Sequence, residues 1–106
     1  MSLPSPAIDV LLTAIAEPPS PPANLQASLN APGSVTLSWV PSTGLPTDYV
    51  VLVGSAAGLS DLAVAAVASA TVTVGNVAPR TYYVRVLARN EGGVSAPSNQ
   101  VFITVP

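Results

Sequence analysis

Residues 35–39 read Val-Thr-Leu-Ser-Trp, apolar and polar in strict alternation. The same period of two returns in Tyr82, Val84, Val86 and Ala88, and again in Val101, Ile103 and Val105. A period of two places every second side chain on one face of an extended strand, whereas a helical stripe recurs every three or four residues. Residues 49–53 add a denser apolar run, and turn-forming clusters separate the runs: Ala31-Pro32-Gly33, the segment 41–46, the segment 54–58, Gly75-Asn76 and Glu91-Gly92-Gly93. Short strands rich in Val and Thr at this spacing predict an all-β sandwich or barrel. Residues 62–70 run against the pattern because their alanines favour helix. Flanked by loops, they are expected to form a short edge strand.

With 106 residues the chain has room for one domain. Surface scaling lets a chain of this mass bury about two-thirds of its unfolded surface, enough for a core without metal or disulfide staples. Half of the residues are hydrophobic (49%) and only 8% are charged: Asp9, Glu17, Asp48, Asp61, Glu91, Arg80, Arg85 and Arg89. The absence of histidine, cysteine and lysine removes the imidazole base, the thiolate nucleophile, the Schiff-base lysine and the Cys/His zinc site. Three cations against a net charge of −2 exclude a nucleic-acid surface, which needs several phosphate contacts.

Composition breaks at residues 17–22, Glu-Pro-Pro-Ser-Pro-Pro. Prolines fix φ and lack an amide donor, so neither helix nor central strand passes through, and a stiff linker is expected there. It divides a leader, residues 1–16, from a body, residues 23–106. In the leader Ile8, Leu11, Leu12 and Ile15 fall at helical spacing, with Ser5 as N-cap, Pro6 in the first turn and Asp9 near the positive end. Ile8, Val10, Leu12 and Ala14 also alternate, so a short helix and a strand both fit. The apolar run is too short to span a membrane, and no Lys or Arg precedes it as a signal peptide requires. Such a short helix is marginal alone, so the Ile8/Leu11/Leu12/Ile15 stripe is a candidate self-association surface for a homodimer.

The five carboxylates show no pairing set by spacing, and Asp48, Asp61 and Glu91 are expected as solvated turn residues. Asn76 and Asn90 with Asp61 do not make a calcium loop, which needs a denser run of oxygen ligands. Gly54, Gly58, Gly92 and Gly93 lack the Gly-Lys-Ser/Thr ending of a phosphate loop. No catalytic residue, metal or cofactor is expected.

From about Pro21 onward the chain resembles a fibronectin type III domain. Pro22 and Leu25 match the opening strand of that family, residues 35–39 followed by Pro41 its second strand and tryptophan, and Tyr49 with Val51 its third. Thr81-Tyr82 with Val84, Val86, Ala88 and Asn90 matches the sixth, and Gly93, Ser95, Pro97 and Ser98 the loop into the last. An immunoglobulin domain would instead carry its tryptophan on the third strand against a disulfide. The resemblance implies a seven-stranded, two-sheet sandwich in which Val35, Leu37 and Trp39 face Tyr49, Val51, Tyr82, Val84 and Val86, with Tyr82 as the corner tyrosine. Arg80 stands where the family usually has glycine, so the turn before it is expected to be built differently. The family's Arg-Gly-Asp tripeptide is missing from loop 91–97.

The resemblance further implies a non-catalytic spacer or accessory module of a larger secreted or cell-surface protein, of a kind common in bacterial extracellular enzymes and adhesins. Its partners would then be neighbouring domains of the parent chain. Alternation also predicts an outward face: Tyr83, Arg85, Leu87 and Arg89 on the sixth strand, joined by Val50 and Leu52 on the third. This mixture of aromatic, arginine and aliphatic groups is the composition of protein interfaces, so the face or the loop from Glu91 to Ala96 is a candidate site for a protein or glycan partner.

Overall fold

A computed structural model of the chain describes residues 17–106. The leader and its Ile8, Leu11, Leu12 and Ile15 lie outside the described residues. The alternating runs become strands β1 (Ala23–Ala31), β2 (Ser34–Val40), β3 (Asp48–Gly54), β4 (Ala63–Val67), β5 (Thr71–Val74), β6 (Arg80–Asn90), β7 (Gly93–Val94) and β8 (Val101–Val105). They form a three-stranded sheet, β1-β2-β5, packed on a five-stranded one, β4-β3-β6 with β7 and β8 both on the free side of β6. Every pairing is antiparallel. The alanine-rich stretch forms the edge strand β4, where pairing with β3 overrides helix propensity.

Burial follows the alternation. Val35, Leu37 and Trp39 from β2 pack against Tyr49, Val51, Val84, Val86 and Ala88 from the opposite sheet, with Leu25 and Val105 closing the core. Val86 at the centre is 0% exposed. The Trp39 and Tyr49 rings meet edge to face at 5.4 Å, the arrangement their quadrupoles favour. The Tyr82 hydroxyl donates to the Ala78 carbonyl at 2.6 Å, forming the expected corner. Arg80 begins β6 and lays its guanidinium 5.9 Å from the centre of the Tyr82 ring.

The last strand is divided, giving eight strands among the described residues where seven were expected. Pro97 has no amide to donate, and two buried serines span the gap. Ser95 donates its backbone N–H to the Ala88 carbonyl (2.8 Å), while its Oγ accepts the Ala88 N–H (2.9 Å). Ser98 repeats the exchange with Val86, at 2.8 and 3.0 Å. Each hydroxyl thus stands in for a ladder carbonyl, so the buried donors of β6 stay satisfied. Asn99 then turns to the other sheet, accepting from the Leu25 N–H (2.9 Å) and donating to the Leu25 carbonyl (3.1 Å).

Residues 17–22 lie along the body: Pro19 and Pro22 are buried, and the Ser20 N–H donates to the Thr43 carbonyl at 3.1 Å.

Gly54 ends β3 where loop 55–62 folds back. A Cβ there would stand 2.1 Å from the Leu59 carbonyl oxygen, closer than any side chain could shift to relieve. Gly54→Ala is expected to lower stability by about 1–3 kcal/mol, the range for overpacking. Urea denaturation measures it as a lower midpoint at constant slope; an unchanged midpoint would mean that the loop yields without cost.

Candidate functional site

The register of β3 on β6 sets Val50 beside Leu87, Leu52 beside Arg85, Asp48 beside Arg89 and Gly54 beside Tyr83. Tyr83, Arg85, Leu87, Arg89, Val50 and Leu52 therefore share the face opposite to the core. Three of the six are engaged within the domain. Arg89 forms a two-point ion pair with Asp48, Nε to Oδ1 at 2.8 Å and Nη2 to Oδ2 at 2.5 Å. Arg85 reaches over to donate to the Gly58 carbonyl at 3.1 Å. Val50 is only 8% exposed, crowded by its cross-strand neighbours Ala66 and Leu87.

A residue outside the expected set carries the most accessible surface of this region. Phe102 on β8 is 68% exposed and directly opposite Tyr83, their ring centres 6.0 Å apart. Its alternation with Val101 and Ile103 already marks it as outward-facing; what alternation cannot supply is the register that sets it beside Tyr83. The Tyr83–Phe102 pair adjoins loop 55–62, whose Gly58 N–H donates to the Gln100 Oε1 at 2.8 Å.

The charged groups serve the scaffold. Asp48 is not a solvated turn residue: it opens β3, and the hydrogen bond from Arg89, aided by its charge, holds the carboxyl below the ordinary 3.8. Asp61 accepts from the Ser55 hydroxyl (2.7 Å) and N–H (2.9 Å), which lower its pKa too and close loop 55–62. Among the described residues no three carboxylates gather as a metal site. Asn90 is likewise engaged: its Nδ2 donates to the Glu17 and Gly44 carbonyls, both at 2.8 Å, and its Oδ1 accepts from the Gly92 N–H at 2.7 Å. Asn76 takes a left-handed φ of 56° in the turn after β5.

Two concavities accompany these features. One, of about 440 Å³, lies where the described chain enters, between Glu17, Pro18, loop 43–47 and the turn 90–92. The other, of about 300 Å³, is apolar and opens between the sheets beside Val35, Val53, Val74 and Val77. No helix in the described residues is long and apolar enough to cross a membrane.

Both lowered carboxyl pKa values contribute stability that is present above the unfolded value and lost as pH falls through the folded one. Stability is therefore expected to decline below about pH 4. In Asp48→Asn the decline should be shallower, with only the Asp61 part remaining. Urea midpoints from pH 6 to 2 test this; equal slopes in both proteins would show that the pair does not persist in solution.

The chain matches the family model described as fibronectin type III domain over residues 20–104. Solved structures share its fold. The structure of titin kinase and its flanking domains is 26% identical, with a TM-score of 0.65 over 80% of this chain and 16% of that one. The twitchin kinase region from C. elegans is 25% identical, with a TM-score of 0.72 over 84% of this chain and 17% of that one. The chicken CNTN1 FN1–FN3 structure, 19% identical, superposes with a TM-score of 0.71 over 83% of this chain and 31% of that one, a likeness of fold alone. This chain thus spans a third or less of each of these longer, multidomain chains. Sandwich topology, corner tyrosine and family match agree: the chain belongs to the fibronectin type III domain family.

Proposed function

We propose that this domain is a non-catalytic spacer in a larger secreted or cell-surface protein, its partners being the domains on either side. The observation that carries the reading is the placement of the two ends. Glu17 is held by Asn90 at the end of β6, whereas Val105 pairs with Arg80 at its beginning. An eleven-residue strand spans about 36 Å, so the chain enters at one pole and leaves at the other. That arrangement sets neighbours apart. The secreted or surface location, and a bacterial parent, rest on the family resemblance of the Val-, Ala- and Thr-rich composition. The use of charged groups as strand and loop ties supports a non-enzymatic role.

Three copies joined head to tail test the spacer reading by small-angle scattering. The longest dimension is expected to grow by about 36 Å for each added copy. A particle that grows in width and not in length would overturn it.

A second reading is favoured by one observation, the exposed Phe102 beside Tyr83. Paired aromatic rings offer a flat face for a sugar ring or an apolar protein surface. Here Phe102→Ala should leave the urea midpoint within measurement error and abolish retention on a panel of immobilised glycans. A protein, wild type or variant, that is retained equally would rule the pair out as a glycan site.

A further inference from the structure

Leu45 is the most conspicuous unexplained residue of the domain. It is 89% exposed, and its φ of +55° places a leucine in the left-handed region. That region crowds Cβ against the backbone, suits Asn, Asp and Gly, and is least suited to a residue that precedes a proline, here Pro46. Its neighbour Gly44 has a φ of +90°, and a Cβ there would meet the Cα of Pro19 at 3.1 Å. The loop is therefore shaped against the entering prolines, yet it spends that shape on presenting a leucine to solvent.

The position of Leu45 supplies the reason. It lines the 440 Å³ cleft together with Glu17 and Pro18, and the Glu17 carbonyl is fixed there by Asn90. Whatever precedes Glu17 must start from this cleft. Ile15 is two residues away, so its Cα lies within about 7 Å of that of Glu17. Leu11 and Leu12 follow within about 20 Å. The segment before the prolines carries Ile8, Leu11, Leu12 and Ile15 with Asp9 as its one charge. Tethering at this range makes even a small apolar contact favourable, because the chain supplies a high effective concentration.

We propose that Leu45 is the anchor of an intramolecular docking site, and that its occupant is the chain's own segment 11–16, with Ile15 packed on Leu45 and Pro18. The site would fix the direction from which a preceding segment approaches the domain. This goes beyond the spacer reading and does not depend on it.

The left-handed φ gives the test its sign. Asn tolerates that conformation better than Leu, so Leu45→Asn should stabilise the domain if the leucine has no partner. If Leu45 holds the segment, the same change loses the contact. Urea denaturation of the full chain is compared for wild type, Leu45→Asn, Ile15→Ser and the double variant. The expected result is a lower midpoint for Leu45→Asn with Ile15 present and an unchanged or higher one with Ile15→Ser, a coupling of about fivefold or more in the unfolding constant. A higher midpoint for Leu45→Asn in both backgrounds would overturn the proposal. So would a coupling that vanishes on hundredfold dilution, since the occupant would then be the segment of a second copy.

Discussion

The two serine exchanges on β6 are the interaction on which the other parts depend. β6 is the central strand of the larger sheet, paired with β3 from Tyr83 to Arg89 on one side. On its other side the ladder is interrupted between β7 and β8, where Ala88 and Val86 would be left with unpaired amides. Ser95 and Ser98 satisfy them with side-chain oxygens. The inward side chains of those same two residues are the least exposed of the core. An unsatisfied amide there would cost more than the hydrogen bond itself contributes, because the group is already shut off from water. With β6 fixed, Tyr82 is placed for its corner bond at one end, and Arg89 and Asn90 for their contacts at the other.

The same substitution of neutral polar groups for other devices recurs over the surface. Where many domains present charge, this one pairs threonines across strands, Thr36 with Thr73 and Thr81 with Thr104, each at 2.9 Å. Neutral pairs of this kind are not screened by salt as ion pairs are. Asp48, Asp61, Arg85 and Arg89 are held by short-range geometry, beside a scaffold tied at many points by hydroxyl and amide groups.

Much of this fold can be read from the chain because a period of two is a local property. Val35, Leu37 and Trp39 announce which face is buried, and Tyr82 with Ala78 is a contact across four residues. The features that stay hidden depend on register between distant segments. Asp48 and Arg89 are 41 positions apart, and nothing in either neighbourhood says that β3 and β6 align them. Phe102 reads as outward but gains its aromatic neighbour only through the pairing of β8 with β6, which the length of the serine-bearing gap decides. Val50 reads as outward too; its burial arises from residues on two flanking strands and not from its own alternation. Alternation thus places residues on a face, whereas the ties that engage Arg85, Arg89 and Val50 there come from partners distant in sequence.

The Asn99 bridge to Leu25 bears on how such a module would carry tension. β1 and β8 run in the same direction, β1 starting near the pole of entry and β8 ending at the pole of exit. A pull on the two ends drags these strands past one another, so the bonds between Asn99 and Leu25 are strained together and sideways, and not opened one after another from an end. Loading in that direction makes the Asn99 amide a latch that bears force along the axis, set between β1 of one sheet and the segment leading into β8 of the other.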